Sequence, residues 1–324
     1  MKKLILSLAV ILLAVGLIYH KTVLRVYQGF SSLQLSKERT KYYALKSDAQ
    51  FADITQNLIQ DKSIPDNLKE PLIKGERRIV VFKYKSDNQY VAGYFSYLTQ
   101  GEHPTMIFLR GGNGFFGIMR PNNRFSFLKD YNVVGTLYRG NIYGGNDEFG
   151  GRDIDDIDNL IHFFPEIERA THVTLKAPFA MMGGSRGAME MFIALSREGI
   201  AKATVDYAIA VSGNIDLRLS MKERPEMRYL FNSKFKESQE TDFNRWLNAR
   251  DPVFNAKNLS KSLKVLLVYG LADNRVSLGE QQNFLAALKK VGITSELVTI
   301  PDGEHGLDEH FGELEHAVLG FRKK

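Results

Sequence analysis

The 324-residue sequence contains no cysteine. This absence excludes disulfide bonds, thiolate metal sites, a cysteine nucleophile and lipid-modified cysteines. Any covalent chemistry must therefore use serine, threonine, lysine, histidine, tyrosine or carboxylate side chains. The sequence also lacks the several apolar runs of about 20 residues that a protein with many membrane spans needs. We expect a globular chain that is long enough for one large domain or two small ones.

Positive charge is in modest excess, but the sequence has no long basic tract. There are 43 Lys and Arg residues against 37 Asp and Glu, which gives a formal net charge of +6 at pH 7. Because the basic residues are spread among acidic ones, they indicate a solvated surface and no nucleic-acid interface. The hydrophobic fraction of 44% and the charged fraction of 25% are typical of a folded protein.

The N-terminal segment has the pattern of an export signal. Met1–Lys3 is basic, and Leu4–Tyr19 is apolar and uncharged. The small residues Ala14–Gly16 resemble a cleavage site, but the apolar run continues beyond them. We therefore predict that residues 1–22 form an uncleaved signal anchor, with the body of the protein periplasmic or extracellular. A cleaved, secreted form and a buried N-terminal helix are the alternatives.

Two regions follow this segment. Residues 23–76 are polar and predicted to be a helical N-terminal extension, which forms a stalk or packs on the main domain. The extension carries an apolar stripe at helical spacing, formed by Phe51, Ile54, Leu58 and Ile59. Residues 77–324 form the predicted main domain.

Short apolar runs alternate with helical segments through the main domain. The predicted strands are Ile79–Tyr84, Tyr90–Leu98, Thr105–Leu109, Val133–Tyr138, Phe179–Met182, Tyr207–Val211, Val265–Tyr269 and Leu297–Ile300. Fully apolar runs separated by helices predict the α/β class, with a mostly parallel central sheet covered by helices on both faces. An antiparallel hairpin leads into this sheet. Ligands of such sheets bind beyond the carboxyl ends of the strands, so the residues directly after each strand are the candidates for a site.

One of these turns carries a serine between glycines. The sequence G-G-S-R-G at residues 183–187 follows the fifth predicted strand and precedes a helical segment, matching G-x-S-x-G. Gly183 and Gly187 give room to a sharp turn in which a β-carbon would clash. The turn would present the Ser185 hydroxyl, and the N–H of Arg186 would face an oxyanion at a helix N-terminus. We interpret Ser185 as a nucleophile; a plain glycine-rich turn is the alternative.

A nucleophilic serine needs a base, and one of the seven histidines is placed for this role. His305 directly follows the last predicted strand, whereas the others lie at the wrong end of the sheet, in a predicted helix or near the N-terminus. Asp273 follows the Val265–Tyr269 strand and would orient His305 and stabilise its imidazolium form. Asp302 and Glu304 compete for this role, but neighbours in the same loop reach behind the imidazole with difficulty.

A second glycine-rich loop follows the Thr105–Leu109 strand. Its sequence is R-G-G-N-G at residues 110–114. We expect the N–H of Gly112 or Asn113 to join the N–H of Arg186 in an oxyanion hole. The choice between the two residues stays open, and a plain tight turn is the alternative.

These features resemble an α/β-hydrolase, and more narrowly the catalytic domain of the prolyl oligopeptidase family of serine peptidases. The resemblance covers about residues 77–322. It rests on the motifs at residues 138–141 with the loop to 151, 183–187, 270–276 and 303–306, and on the acidic run at 153–156. It implies that Ser185, Asp273 and His305 form a catalytic triad that works through an acyl-enzyme and without a cofactor.

Two departures from the family leave the substrate open. Family members of the oligopeptidase type carry a β-propeller before the catalytic domain, and residues 23–76 are too few for four blades of about 40 residues. A tyrosine that assists the oxyanion in the family is not evident at residues 110–113. The prediction is a serine hydrolase that cleaves a peptide or ester bond. A carboxylesterase or acyltransferase for lipid or envelope acyl groups, and a non-catalytic envelope binding module, are the alternatives.

Two further groups of residues are given structural interpretations. An acidic group fits no EF-hand template and is expected to complement a helix dipole, so no metal site is predicted. It consists of Asp153, Asp155, Asp156 and Asp158. An insertion at about residues 214–262 is predicted to form a short helical lid. Its aromatic residues either line a substrate pocket or form the core of the lid, and they are Tyr229, Phe231, Phe235, Phe243 and Trp246.

Overall fold

The computed structural model describes residues 33–323. The predicted signal anchor at residues 1–22 lies outside the described residues. Within residues 33–323, no helix is long and apolar enough to cross a membrane.

The described chain is built around one mixed sheet. Its strands are β1 Phe51–Asp53, β2 Arg77–Ser86, β3 Gln89–Leu98, β4 Thr105–Leu109, β5 Asn132–Thr136, β6 Phe179–Gly184, β7 Val205–Val211, β8 Lys264–Gly270 and β9 Thr294–Ile300. Their spatial order is β1-β2-β3-β5-β4-β6-β7-β8-β9. Along this order, the first three pairs of neighbours are antiparallel: β1 with β2, β2 with β3, and β3 with β5. The remaining neighbours, from β5 and β4 to β8 and β9, pair in parallel. All eight predicted strands are therefore present, and the parallel part carries the predicted site motifs.

Helices cover both faces of this sheet. They are α1 Thr55–Gln60, α2 Glu70–Ile73, α3 Asp155–His162, α4 Phe164–Thr171, α5 Arg186–Ser196, α6 Ile200–Thr204, α7 Leu217–Glu223, α8 Pro225–Glu237, α9 Phe243–Asn248, α10 Pro252–Asn255, α11 Leu278–Lys290 and α12 Phe311–Arg322. The central strand β4 is buried on both faces. Its residues alternate between two hydrophobic clusters, with Ile107 and Leu109 in one and Met106 and Phe108 in the other. This two-residue period explains why the strand is apolar throughout.

The N-terminal extension departs from the helical prediction at residues 51–53. Phe51–Asp53 forms the edge strand β1, which pairs with β2, and the helix α1 begins only at Thr55. The prediction of a helix was wrong here because the sheet offers partners that local spacing does not reveal. The Phe51 ring stacks on Phe163, with 5.5 Å between the ring centroids. Leu58 and Leu72 of the extension pack with Ile79 of β2 in a small cluster, and Tyr43 is buried in one of the large clusters on the sheet.

Candidate active site

Ser185 occupies a strained turn between β6 and α5. Its backbone has φ of 52° and ψ of −116°, a conformation that costs energy for a residue with a β-carbon. A β-carbon on Gly183 would lie 2.4 Å from the carbonyl oxygen of Gly187, and one on Gly187 would lie 2.0 Å from that of Leu109. Both predicted glycine positions are therefore required by close backbone packing.

Backbone hydrogen bonds fix this turn to the next strand. The N–H of Ser185 donates to the carbonyl of Val211 at 2.9 Å, and the N–H of Asn214 donates to the carbonyl of Ser185 at 3.1 Å. The Ser185 side chain is half-buried at the carboxyl edge of the sheet. The turn thus holds the hydroxyl in a defined place without enclosing it.

Asp273 and His305 are in direct contact at the same edge of the sheet. Asp273 follows β8 and His305 follows β9, and their Oδ2 and Nδ1 atoms are 2.8 Å apart. An ionised carboxylate accepts hydrogen bonds only, so the Nδ1 of His305 is the donor. This leaves the Nε2 of a neutral His305 as a proton acceptor.

The surroundings of Asp273 keep its carboxylate charged. The Asp273 side chain is fully buried, and burial opposes ionisation. The hydrogen bond to His305, the charge of His305 and the backbone N–H groups of Arg275 and Val276 outweigh burial. Together they hold the pKa of Asp273 below its ordinary value. Asp273 is therefore suited to orient His305 and to stabilise an imidazolium ion.

The competing acids are placed differently from Asp273. The Glu304 carboxylate accepts the backbone N–H groups of Asp308 and Glu309, within its own loop. Asp302 is exposed. In the described part of the chain, the carboxylate hydrogen-bonded to His305 is that of Asp273. The contacts of residues 33–323 include no hydrogen bond between the Ser185 hydroxyl and the His305 imidazole.

The loop after β4 approaches Ser185 closely. A β-carbon on Gly111 would lie 3.3 Å from the β-carbon of Ser185. Gly112 has φ of +78°, and a β-carbon there would lie 2.1 Å from the carbonyl oxygen of Phe116. Only glycine fits these two constraints without a backbone shift. The loop predicted to supply an oxyanion donor therefore lies beside the predicted nucleophile.

Arg110 organises this loop from inside the protein. Its side chain is 1% exposed and donates only to backbone carbonyl groups. Within the loop, its Nη1 donates to Gly111 at 2.9 Å and to Phe116 at 2.9 Å, and its Nη2 donates to Gly114 at 2.7 Å. A single guanidinium thus holds three carbonyl groups of one short loop.

Arg186 holds the same loop from the side of the nucleophile. Its buried Nη1 donates to the carbonyl of Gly112 at 2.9 Å and to Asp147 at 2.7 Å. The remaining guanidinium nitrogens bind Asp153 and Glu190. Burial, followed by the charge of Asp153, raises the pKa of Glu190 well above its ordinary value, which favours the protonated carboxyl.

These two arginines determine how the loop presents its N–H groups. In a planar trans peptide, the C=O and N–H point in opposite directions. Arg110 binds the carbonyl of Gly111, so it orients the N–H of Gly112. Arg186 binds the carbonyl of Gly112, so it orients the N–H of Asn113. The arginine side chains, which the sequence interpretation had not assigned, therefore position both candidate oxyanion donors.

The acidic run at residues 153–158 forms ion pairs with arginines and also begins the helix α3. Asp155, Asp156 and Asp158 lie in the first turn of α3, as predicted. However, Asp156 is buried and pairs with Arg139 at 2.6 Å, and the buried Asp153 pairs with Arg186. The helix-dipole interpretation was thus incomplete, because these ion pairs cross between segments that are distant in sequence.

The insertion at residues 214–262 forms the helices α7 to α10. Phe231 and Trp246 are buried in a cluster with Phe149 and Met189, and Phe235 and Phe243 pack against it. These aromatic residues form the core of the insertion, which is the second of the two predicted roles. Tyr229 differs from them because 78% of its surface is exposed. Its predicted role in a pocket wall, and the role of the insertion as a lid, stay predictions.

Curated relatives align with much of the chain. The acylamino-acid-releasing enzyme 1 of rice is 23% identical over 243 residues, which are 70% of this chain and 30% of that protein. The dipeptidyl peptidase family member 6 of Caenorhabditis elegans is 25% identical over 207 residues, which are 60% of this chain and 27% of that protein. The chain thus spans less than a third of the length of these relatives. The uncharacterized peptidase YtmA of Bacillus subtilis is 26% identical and aligns over 62% of this chain and 76% of its own length.

Solved structures share the fold. An acylaminoacyl peptidase in complex with Z-Gly-Gly-Phe-chloromethyl ketone superposes with a TM-score of 0.61 and 21% identity, over 79% of this chain and 43% of that one. The esterase Pf2001 of Pyrococcus furiosus superposes with a TM-score of 0.55 and 21% identity, over 75% of this chain and 89% of that one. The predicted α/β-hydrolase fold is therefore confirmed.

The family is identified by its sequence profile. The profile of the prolyl oligopeptidase family matches residues 131–324, which are more than half of the chain. Ser185, Asp273 and His305 all lie within the matched region. The chain therefore belongs to the prolyl oligopeptidase family of serine hydrolases.

Proposed function

We propose that this serine hydrolase works through a triad of Ser185, His305 and Asp273 and cleaves a peptide or ester bond through an acyl-enzyme. The observation that carries the proposal is the 2.8 Å contact between Asp273 and His305, at the sheet edge where the strained turn presents Ser185. A serine hydroxyl needs such a base to become a nucleophile at neutral pH.

Acylation follows from the protonation states of these groups. Neutral His305 takes the hydroxyl proton at Nε2 as the Ser185 oxygen attacks the substrate carbonyl. The ionised Asp273 stabilises the resulting imidazolium through Nδ1–H. The imidazolium then gives its proton to the leaving amine or alcohol as the carbon–leaving-group bond breaks. In the second half of the cycle, water repeats the sequence as the nucleophile and releases the acid.

The oxyanion is held by backbone N–H groups. Arg186 starts α5, so its N–H has no partner in the preceding turn of that helix and is free to donate. The second donor is the N–H of Gly112 or Asn113, whose orientations are fixed by Arg110 and Arg186. Preorganised donors of this kind stabilise the charge that develops in the transition state.

Family membership favours a peptide substrate. The related proteins include an acylamino-acid-releasing enzyme and an acylaminoacyl peptidase bound to a peptide chloromethyl ketone. A blocked peptide is accordingly the first substrate class to test. The second candidate is an ester, because this chain covers 89% of a solved esterase but only 43% of that peptidase.

Turnover by matched variants tests this proposal. The full chain would be assayed with an acylated peptide p-nitroanilide and with short-chain p-nitrophenyl esters. Ser185→Ala is expected to lower kcat by about 10⁴-fold or more on the preferred substrate, because the covalent route is lost. Ser196→Ala, at the far end of α5, serves as the control and should leave kcat unchanged. Turnover by Ser185→Ala at the wild-type rate would overturn the assignment.

We further propose that residues 4–19 anchor the protein in a membrane, with the body in the periplasm or outside the cell. The support is the basic start and the uncharged apolar run of this segment. Membrane fractions of expressing cells would be washed at alkaline pH, and the retained protein measured by intact mass. Retention with an intact N-terminus is expected. Release by the wash, or loss of the first residues, would contradict an uncleaved anchor.

A further inference from the structure

One face of segment 33–43 is packed on the main domain. The segment is α-helical at first and ends in a 3-10 turn. Ser36 and Tyr43 are buried and Arg39 is half-buried. Steps of three and four residues repeat on one side of a helix, so these three side chains share one face. The contacts of this face therefore show what the segment does in the fold.

The three side chains of this face bind three consecutive residues of the loop after β4. The hydrogen bonds run from the N–H of Gly117 to Ser36 Oγ at 3.2 Å, from Arg39 Nη1 to the Ile118 carbonyl at 3.1 Å, and from the Tyr43 hydroxyl to the Met119 carbonyl at 2.8 Å. The paired residues are 76 to 81 positions apart in sequence. Segment 33–43 thus holds the backbone of residues 117–119 from outside their own loop.

Residues 116–117 pack in turn on the glycines beside Ser185. Gly117 has φ of +83°, and a β-carbon there would lie 2.6 Å from the Gly111 carbonyl oxygen and 3.2 Å from the Cα of Gly112. The Nη1 of Arg110 donates to the Phe116 carbonyl and to that of Gly111, at 2.9 Å each. Close-packed backbone transmits a displacement, so a shift of residue 117 would move the N–H of Gly112.

Segment 33–43 is also fixed to the loop that follows β5. The Tyr143 hydroxyl donates to the Tyr43 carbonyl at 3.0 Å and accepts the N–H of Leu45 at 3.3 Å. The Tyr43 side chain is 0% exposed and lies in one of the large clusters on the sheet. The end of the segment therefore has a fixed place, from which it can hold residues 117–119.

We infer that segment 33–43 positions the loop proposed to supply an oxyanion donor, and that Ser36, Arg39 and Tyr43 are positioning residues for the acyl transfer. This role rests on the proposed function, because the loop serves the same site. An oxyanion donor must point at the charge that develops in the transition state. A displaced N–H of Gly112 or Asn113 would therefore weaken transition-state binding more than substrate binding.

Full-length variants of two of these residues test the inference. Arg39→Gln is expected to lower kcat about fivefold to fiftyfold with KM nearly unchanged, because the loop loses one of its holding contacts. Tyr43→Phe keeps the ring in the core and loses only the hydroxyl, so a fall in kcat of about threefold to tenfold is expected. Arg39→Lys retains a donor and should recover part of kcat. Lys37→Gln, at an exposed position of the same segment, is the control for the lost charge.

An inhibitor pair separates positioning from a general loss of structure. A trifluoromethyl ketone analogue of the preferred substrate forms a serine adduct that carries an anionic oxygen, whereas the corresponding alcohol forms no adduct. The inhibition constant of the ketone should rise by the factor by which kcat/KM falls, and that of the alcohol should stay unchanged. If Arg39→Gln does not fold, Tyr43→Phe decides.

The outcomes distinguish this inference from the proposed function. Folded variants with wild-type kcat and ketone inhibition would overturn the positioning role, as would an equal loss in Lys37→Gln. An equal weakening of the ketone and the alcohol would also overturn it, because the effect would then lie in substrate binding. Wild-type turnover that does not depend on Ser185 would instead remove the proposed function, and this role with it.

Discussion

The two sides of Ser185 are built by different means. On the side of the loop after β4, the buried guanidiniums of Arg110 and Arg186 bind backbone carbonyls and fix the peptide groups. On the opposite side, Asp273 and His305 form one hydrogen-bonded pair, and His305 remains 19% exposed. The difference suggests a principle for the proposed site: the candidate oxyanion donors are held by buried guanidinium groups, whereas the proposed base has one hydrogen-bond partner.

This rigidity depends on a balanced buried network. Arg186 is bound by Asp147, Asp153 and Glu190, and the Tyr138 ring lies 5.0 Å from the Arg186 guanidinium and 5.5 Å from that of Arg110. Removing one member of a buried ion pair leaves a charge without its partner. The contact between Asp273 and His305 is instead a single pair with one partly exposed member, so the two sides should respond differently to mutation.

The largest effect on turnover is expected from a mutation on the side of Asp273 and His305. Asp273→Asn should lower kcat by about 10⁴-fold, because an amide no longer stabilises the imidazolium or selects the Nδ1–H tautomer. Steady-state kinetics with the preferred substrate measure this effect. Asp302→Asn, on the exposed competitor, is the control. A comparable loss in Asp302→Asn would move the orienting role away from Asp273.

The second largest effect on turnover is expected from a mutation on the side of the loop after β4, which is proposed to supply an oxyanion donor. Arg186→Met removes the guanidinium that binds Gly112 while retaining the backbone N–H of residue 186. We expect kcat to fall by about 10²-fold to 10³-fold if the loop donor is displaced, and stability to fall by about 3–5 kcal/mol. Urea unfolding and single-turnover kinetics report the two losses. A variant with wild-type stability and turnover would show that the network does not brace the loop.

A smaller change tests the loop backbone without removing a charge. Gly112→Ala places a β-carbon against the Phe116 carbonyl and into an unfavourable positive φ. The expected loss in kcat is about tenfold to a hundredfold, since only the donor geometry shifts. Gly320→Ala, in α12 with open space around it, is the matched control. Equal kinetics of both alanine variants would exclude a tight oxyanion loop.

The smallest expected effect is on the pH dependence of the free energy of unfolding, which should differ between the two sides. The pKa of Glu190 is raised in the fold, so its contribution is present below about pH 4.3 and is lost as pH rises toward the folded pKa. Relative to Glu190→Gln, the wild type should therefore lose about 1.4 kcal/mol per pH unit in that window. Urea unfolding of both proteins at a series of pH values measures this difference.

Asp273 should show the opposite sign. Its folded pKa is lowered, so the stability that it contributes is present above about pH 3.9 and is lost as pH falls through the folded pKa. Relative to Asp273→Asn, the wild type should gain stability as pH rises toward about 3.9, and the gain should level off above that pH. Parallel pH trends for the Glu190 and Asp273 variants would remove the electrostatic contrast between the two sides.

The sequence predicts the features of this fold that follow from local pattern. All eight predicted strands of the main domain are present, and the central parallel strands were recognisable because nearly all of their residues are buried. The contact between Asp273 and His305 was also predictable, since both residues follow neighbouring strands of that sheet. Gly183 and Gly187 were recognised because a tight turn with close backbone contacts requires residues without a β-carbon.

The remaining features depend on contacts between distant segments. β1 forms only because β2 offers it an edge, and the helical spacing around Phe51 carries no information about that edge. The roles of Arg110 and Arg186 arise because buried arginines meet carbonyls and carboxylates of other loops. The one sequence signal for them was the presence of arginine directly beside two buried, glycine-rich turns.

The most direct test of the proposed catalytic site is the reaction of the full-length protein with a fluorophosphonate probe, followed by mass spectrometry. The proposed triad predicts one adduct, located on Ser185, which is absent in Ser185→Ala and forms much more slowly in Asp273→Asn. An adduct on another residue, equal labelling of Ser185→Ala, or no labelling of the wild type would contradict the assignment of Ser185 as the nucleophile.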